Sequence, residues 1–309
     1  MRNQVNRLVA IVGPTAIGKS RLALRLAQDF NGEIVNADSR QVYRRMDIGT
    51  AKPNQSERTL ISHHLLDVVN PDENYSLAQY QGLAYRVIND IQQRGKLALL
   101  VGGSGLYVWA MLEGWVIPPV APDSEFRNSL LARVTLGEAV SLYQELAQID
   151  PIAAQRIDPR NVRRVIRALE VSRRADIPFS ELQRKKSPPF SSLIIGLTAE
   201  RTELYRRIDV RIDRMVGFGL VDEVKKLVNM GYVFSLPSMS SIGYKQVGQY
   251  LMGEITLEAA VERIKFDSHR LVRHQYNWFR LSDKRIRWFD VQEEIESEIR
   301  ELVARFANK

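Results

Sequence analysis

One eight-residue segment near the start of the sequence constrains the fold more than any other feature. Residues 13–20 read GPTAIGKS and match G-x-x-x-x-G-K-[ST] at every fixed position. The apolar run 8–12 before them predicts a buried strand, and leucines and alanines recur at helical spacing over 20–30. A strand, a glycine-rich loop and a helix in this order predict a phosphate-binding loop at the edge of a parallel sheet.

The residues of this loop indicate what it binds. They are Gly13, Pro14, Thr15, Ala16, Ile17, Gly18, Lys19 and Ser20. In such a loop, successive backbone N–H groups and the positive end of the following helix point at one anion. Lys19 adds a cation, and the Ser20 hydroxyl is a candidate ligand of Mg²⁺. The motif is typical of ATP-binding and other nucleotide-binding proteins, but it recognises a diphosphate group and does not require ATP.

The carboxylate that an NTPase needs beside this loop is not evident in the sequence. A third predicted strand, 97–101, ends in Gly-Gly-Ser-Gly instead of an acidic residue. Asp67 is the one candidate for a Walker B carboxylate, and the alternative is that it caps a short strand. The guanine-reading motif Asn-Lys-x-Asp is absent from the sequence. The sequence therefore supports phosphate binding more firmly than hydrolysis.

Predicted strands and helices alternate on both sides of a helical stretch. Two further strands are predicted over 33–38 and 194–197, and a helix over 75–93. Pro118, Pro119 and Pro122 mark a linker, after which the pattern is helical. The last third is predicted to be mostly helical.

We therefore expect an α/β fold with a P-loop parallel-sheet core and an inserted, mainly helical domain. The core is expected to comprise residues 1–115 and 194–309, including the C-terminal helices, and the insert residues 116–193.

Charge and composition narrow the class of partner. The 309 residues carry 44 Lys and Arg against 36 Asp and Glu, a net charge of +8. The excess lies in two blocks: ten basic against four acidic residues over 156–186, and eight against two over 263–287. Solvated helix faces would explain such blocks, but a polyanionic partner is favoured if they share a surface. No apolar run is long enough to span a membrane, and we expect a cytoplasmic protein.

Asp38 is the second candidate for chemistry, because it lies at the end of the second predicted strand. Ligands of doubly wound sheets bind at the carboxyl ends of the strands. A carboxylate there could bind Mg²⁺, act as a general base, or cap a turn.

Eight segments in order resemble one known family, the tRNA dimethylallyltransferases, also called tRNA isopentenyltransferases. Together they extend over nearly the whole chain. The segments are GPTAIGKS (13–20), DSRQVY (38–43), MDIGTAKP (46–53), HHLLD (63–67), LLVGGSGLY (99–107), RRVIRALEV (163–171), SIGYKQ (241–246) and RHQYNWFR (273–280). Some members of the family carry a C-terminal zinc finger. The sequence has no cysteine, so the resemblance is to the compact bacterial type.

The resemblance implies a reaction and the residues that perform it. The dimethylallyl group of dimethylallyl diphosphate would move to N6 of adenosine 37, next to the tRNA anticodon, with release of diphosphate. Asp38 would be the general base, and Lys19 and Arg211 would bind the diphosphate. Ser104 stands where the family usually has Thr, and its hydroxyl would bind Mg²⁺ or the tRNA.

The resemblance also implies a surface for tRNA. Its residues are Asp38, Ser39, Arg40, Gln41, Ser104, Arg127, Arg163, Arg164, Arg167, Ser240, Ser241, Ile242, Gly243, Tyr244, Lys245, Arg273, His274, Gln275 and Arg280. Arg163 and Arg167 would share one face of a helix, which suits a phosphate backbone. The neighbouring aromatic residues Tyr276, Trp278 and Phe279 are expected to pack in the core.

The expected partners are the tRNA anticodon stem-loop, dimethylallyl diphosphate and Mg²⁺. The protein itself is expected to be a monomer that binds no membrane. Three other functions have to be weighed against this one: a P-loop kinase of small molecules, a non-catalytic RNA-binding ATPase, and a prenyltransferase acting on free adenine nucleotides. The two basic blocks argue against the kinase and the free-nucleotide enzyme, because neither needs a large surface for a polyanion.

Overall fold

The computed structural model describes residues 6–118, 120, 123–182 and 184–308. Pro119 and Pro122 of the predicted linker lie outside the described residues. The chain forms two compact units, one of Met1–Leu112 with Pro188–Lys309 and the other of Glu113–Ser187. The expected boundaries differ at both ends: 188–193 belongs to the core unit because a core strand begins at Ser191, and 113–115 belongs to the insert because Trp115 pairs with Lys185. We refer to the two units as the core and the insert.

The strands form one large sheet in the core and one small pair in the insert. They are β1 (Arg7–Val12), β2 (Gly32–Asn36), β3 (His63–His64), β4 (Leu97–Val101), β5 (Trp115–Val116), β6 (Arg184–Lys185), β7 (Ser191–Thr198) and β8 (Ile286–Asp290). The large sheet has the order β3-β2-β4-β1-β7-β8, and every neighbouring pair is parallel. β5 and β6 pair antiparallel within the insert.

Along the chain, the helices of the core come before and after its strands, and those of the insert follow one another with no strand between them. They are α1 (Lys19–Asp29), α2 (Gln55–Leu60), α3 (Leu77–Gln93), α4 (Gly105–Leu112), α5 (Ser124–Thr135), α6 (Ala139–Ile149), α7 (Pro151–Arg156), α8 (Val162–Ala175), α9 (Phe179–Leu182), α10 (Arg201–Gly217), α11 (Leu220–Asn229), α12 (Tyr244–Leu251), α13 (Leu257–Trp278) and α14 (Glu296–Ala307). None of the helices in the described ranges is long and apolar enough to cross a lipid bilayer.

The centre of the large sheet follows from unbroken apolar runs. In β1, residues 8–12 have no exposed surface, and in β4 residues 98–100 have none either. A strand buried on both faces is typical of a parallel sheet covered by helices. The predicted phosphate loop connects β1 to α1, in agreement with the expected strand–loop–helix order.

Two features of the sheet differ from the sequence prediction. β2 ends at Asn36, so Asp38 lies two residues beyond the strand. We had not predicted β8, although Ile286 and Phe289 are buried. β8 is an edge strand within a basic segment, and its exposed Arg287 lowers the apolar character on which strand prediction depends.

The insert has its own apolar core, formed where α5, α6, α7 and α8 meet. Beside it, the side chain of Glu170 is completely buried. Its carboxylate accepts hydrogen bonds from Arg127 at 2.8 Å and from Arg167 at 2.5 Å. It also accepts one from the backbone N–H of Asp123, at 2.6 Å. Because a buried carboxylate needs such partners, this hydrogen-bond network contributes to the stability of the insert.

We expect Glu170→Ala to destabilise the insert by about 2 kcal/mol, because it removes the common acceptor of two arginines that remain partly exposed. Urea unfolding followed by circular dichroism measures the change. The matched control is Asp158→Ala, which removes an exposed ion pair with Arg160 and should leave the stability almost unchanged. Equal losses in the two variants would contradict a structural role for Glu170.

Candidate active site

Three chain segments meet at the carboxyl edge of the sheet because β2, β4 and β1 are neighbours. The phosphate loop follows β1, the segment 102–104 follows β4, and Asp38 follows β2. The Ser104 N–H donates to the Ala37 carbonyl at 3.3 Å. A Cβ on Gly102 would lie only 2.1 Å from the Ala37 oxygen, so this approach requires glycine. The sheet therefore brings the predicted phosphate loop, Ser104 and Asp38 into one region.

The phosphate loop places Lys19 in a desolvated position. Gly18, just before α1, has a φ of 103°, which glycine adopts without strain. The Lys19 ammonium donates to the carbonyls of Gly13 at 3.0 Å and Pro14 at 2.7 Å. Burial lowers the pKa of Lys19 to about 7; the charge of Asp38 opposes this shift, and that of Arg211 adds to it. A bound anion would favour the charged ammonium.

Arg211, on α10, faces the same region. Burial lowers the pKa of its guanidinium, and the carboxylate of Asp38 opposes the shift. With Lys19 and Ser20 it lines a cavity of about 480 Å³. Other arginines also line this cavity: Arg21, Arg206, Arg207 and Arg214. Such a set of cations suits a ligand with several negative charges.

A second cavity, of about 440 Å³, shares Ala16 and Arg211 with the first. Asp38 and Ser104 are among the residues at its polar part. Its apolar wall comes from α10, α13 and the start of α11: Ile208, Ile212, Met215, Leu220, Ile264 and Leu271. The two cavities together offer a place for phosphates, an apolar wall and a carboxylate.

Asp38 and Ser104 are each held by the local backbone. One carboxylate oxygen of Asp38 accepts the N–H of Arg40 at 2.8 Å. The Ser104 hydroxyl oxygen accepts the N–H of Ser39 at 2.9 Å and donates to the Ser39 hydroxyl at 3.2 Å. Asp38 therefore caps a turn and also lines the cavity, so the turn-cap hypothesis and the general-base hypothesis are compatible.

Mg²⁺ fits this site only if its ligands come largely from outside the protein. Ser20 is exposed and lines the first cavity. The described part of the chain holds no group of three or more His, Cys, Asp or Glu residues that could form a metal site. Mg²⁺ commonly keeps several waters and is held by substrate phosphates with one or two protein groups. Ser20 can supply one such group, whereas Ser104 lines the other cavity, near Asp38.

Asp67 is not positioned as a Walker B carboxylate. It comes after β3, and its two oxygens accept from Lys52 at 2.6 Å and Arg58 at 2.7 Å. The side chain of Lys52 is almost fully buried and also contacts Asp47. Asp67 therefore holds the segment 47–58 in place, and the Walker B hypothesis was wrong.

Several residues of the expected tRNA surface in the core are accessible. Arg40, Ser240, Ile242 and His274 line the second cavity, as do Asp38, Ser39, Ser104, Ser241, Gly243 and Gln275. Arg273, Arg280 and Lys245 are exposed. Gln41 lies apart from the cavity, and its amide donates to the carbonyls of Thr50 and Ala51.

Two members of the expected tRNA surface have structural contacts instead. Tyr244 has no exposed surface, and its hydroxyl donates to Glu223 at 2.6 Å. Gln275 is 8% exposed and is hydrogen-bonded through both ends of its amide. Neither side chain faces solvent as we had expected of residues that contact RNA.

In the insert, the expected RNA-binding arginines divide into two kinds. Arg163 and Arg164 are exposed on α8. Arg127 and Arg167 bind the buried Glu170 and are thereby committed to the internal network. The shared face predicted for Arg163 and Arg167 is therefore only partly available to a phosphate backbone.

The sequence reasoning missed the apolar wall and misjudged one aromatic residue. Phe279 is buried, as expected, and Tyr276 shares a hydrogen bond with Thr198 at 2.8 Å. Trp278, however, is 41% exposed and lines the second cavity. The spacing of Ile208 and Ile212 indicated a buried helix face, but nothing in that spacing showed that the face borders a cavity.

Comparison with known proteins was consistent with this geometry. The family model described as IPP transferase matches residues 41–282. The tRNA dimethylallyltransferase of Dehalococcoides mccartyi is 48% identical over 299 residues, which cover 97% of this chain and 92% of that protein.

Solved structures of similar proteins cover the chain as fully. The tRNA isopentenylpyrophosphate transferase of Bacillus halodurans has a TM-score of 0.73 and 41% identity, covering 98% of this chain and 97% of that one. A eukaryotic dimethylallyltransferase acting on tRNA has a TM-score of 0.83 and 26% identity, covering 96% and 77%. Because the family model matches more than half of the residues, the chain belongs to the IPP transferase family.

Proposed function

We propose that this protein transfers the dimethylallyl group of dimethylallyl diphosphate to N6 of adenosine 37 in tRNA and releases diphosphate. The observation that carries the proposal is a pair of neighbouring cavities that share Ala16 and Arg211 in their walls. One is lined by the phosphate loop and arginines, and the other by an apolar wall and Asp38. A P-loop ATPase would be expected to have a Walker B carboxylate, and the one candidate, Asp67, is bound by Lys52 and Arg58. The relatives named tRNA dimethylallyltransferase support the same conclusion.

The donor would bind with its diphosphate against Lys19 and Arg211 and its five-carbon chain against the apolar wall. In the reaction the allylic C–O bond breaks as the new C–N6 bond forms. Negative charge then grows on the departing diphosphate, and fixed cations in a desolvated site stabilise that charge. We propose that Lys19 and Arg211 do so, with help from the N–H groups at the start of α1.

The acceptor is the exocyclic amine of an adenine, which attacks poorly because its lone pair is delocalised into the ring. Asp38 would accept a hydrogen bond from N6–H and then its proton. Ser104, which is hydrogen-bonded to Ser39 next to Asp38, would hold the adenosine or its ribose. The base must leave the anticodon loop to enter the cavity, as in other enzymes that modify a base.

We also propose that a divalent cation, Mg²⁺, accompanies the diphosphate at Ser20. When bound, the ion would neutralise part of the charge on the leaving group. The insert would bind the anticodon stem-loop through its exposed arginines, Arg163 and Arg164, and not through Arg127 and Arg167.

The direct test combines purified protein, Mg²⁺, bulk tRNA and dimethylallyl diphosphate labelled in the prenyl group. We expect label in the tRNA and, after nuclease digestion, in N6-dimethylallyl adenosine. Reactions with free AMP and with γ-labelled ATP are run in parallel. Transfer to AMP with none to tRNA, or transfer of the γ-phosphate of ATP, would contradict the proposal.

Asp38→Asn should lower kcat by about 100-fold or more and leave the Kd for tRNA within about twofold. Asn keeps an oxygen that can accept the N–H of Arg40, so the turn is preserved while the base is lost. Single-turnover kinetics and filter binding measure the two quantities. A parallel loss of tRNA binding would show that Asp38 acts only by holding the turn.

The activity should fall as pH rises through neutrality, because the free enzyme loses the Lys19 proton near pH 7. Only the protonated ammonium attracts diphosphate, so kcat/KM for the donor should be high below the Lys19 pKa and decline above it. Lys19→Arg remains charged and should move this decline to higher pH. A profile from pH 5.5 to 9 that is the same for both proteins would contradict the role of Lys19.

Arg163→Ala combined with Arg164→Ala should weaken tRNA binding and reduce the slope of log Kd against log salt by about 1 to 2. The matched control is Arg300→Ala with Arg305→Ala, on the exposed face of α14. Filter binding from 50 to 300 mM KCl provides both slopes. If the α8 variant kept the wild-type slope, these arginines would not belong to the interface.

A further inference from the structure

Gln275, on α13, connects the phosphate loop to the segment that carries Ser104. Its Oε1 accepts the backbone N–H of Thr15 at 2.9 Å. Its Nε2 donates to the carbonyl of Gly103 at 3.1 Å. The side chain is 8% exposed, so both bonds lie in a largely desolvated place. One amide thus joins two segments that are distant in sequence and adjacent at the edge of the sheet.

The Gln275 amide lies so close to the backbone of residue 103 that this position requires glycine. A Cβ added to Gly103 would lie 2.3 Å from the Gln275 Nε2 and 3.3 Å from the carbonyl oxygen of Gly13. Gly103 is therefore enclosed between the amide and the phosphate loop. The Gly13 carbonyl in turn accepts from Lys19, so the same few atoms connect the cation, the loop and the glycine segment.

The chemistry of Gln275 suits this position better than contact with RNA. The amide has one acceptor and one donor end, and the two backbone groups require one of each. Glutamate could accept from Thr15 but could not donate to Gly103. The neighbouring Arg273 is exposed and donates to the Tyr205 hydroxyl at 3.3 Å, so it does not make this bridge.

We propose that Gln275 is a positioning residue, which fixes the distance between the donor's diphosphate site and the Ser104–Asp38 side of the cavity. This inference rests on the proposed prenyl transfer. In a substitution reaction, the nucleophile and the leaving group must be held in line, and a misplacement of about 1 Å can cost about 100-fold in rate. Gln275 acts through the two segments and need not touch either substrate.

The test uses Gln275→Met, which keeps the length of the side chain and removes both hydrogen bonds. We expect kcat with saturating substrates to fall about 10- to 100-fold, while the Kd for tRNA stays within about twofold. The matched control is Gln93→Met, at an exposed glutamine ending α3, which should change neither quantity. A weaker tRNA Kd with unchanged kcat would make Gln275 an RNA-contacting residue and overturn the proposal, as would no change in either quantity.

Hydrogen exchange provides a readout that does not depend on the reaction. The amides of Gly13, Thr15 and Ala16 and those of 102–105 should exchange faster together in Gln275→Met than in the wild type, and unchanged exchange in both segments would overturn the bridge. If Gln275→Met fails to fold, Gln275→Glu, which keeps the acceptor and replaces the donor, is measured in the same way and should accelerate exchange at 102–105 more than at 13–16. If the wild type transfers no prenyl group to tRNA, the proposed function fails, and hydrogen exchange still decides the bridge.

Discussion

The approach of three parallel strand ends to one another is the constraint on which the site depends. β4 lies between β1 and β2, so the segment after β4 lies between the phosphate loop and Asp38. Gly102 permits this because any side chain there would collide with the Ala37 carbonyl. A sheet with these strands in another order could keep the same loop and the same carboxylate and separate them. The chemistry therefore depends on strand order as much as on the residues themselves.

Desolvated cations explain why this arrangement favours a diphosphate. Lys19 and Arg211 lie where burial disfavours their charged forms, and Asp38 is the carboxylate that offsets part of this cost. A ligand with several negative charges supplies the rest. Binding energy and catalytic stabilisation thus come from one source, namely positive charge placed before the ligand arrives.

The sequence was sufficient to predict those parts of the structure that neighbouring residues determine. The order of strand, loop and helix around residues 13–20 follows from spacing alone, and so does the buried character of β1 and β4. Asp67 shows where this reasoning fails, since its partners Lys52 and Arg58 come from a loop and from the short helix α2, which are too short to show a periodicity. The burial of Gln275 and Tyr244 was not foreseen for a related reason. Each lies in a motif rich in polar groups, and only the contacts of α13 with the phosphate loop and of α12 with α11 show that both are buried.

Counts of basic residues overstate the surface that can bind RNA. In the insert, ten basic residues lie over 156–186, but not all of them are available to a polyanion. Arg167 is bound to the buried Glu170, and Arg160 is paired with Asp158 in an exposed contact. Arg167 cannot turn to a phosphate without removing one of the partners of the buried Glu170 carboxylate, and that loss costs more than a surface contact with a phosphate returns. Arginines such as Arg163, with no acidic partner that the described residues provide, are therefore the ones from which affinity for a polyanion should come.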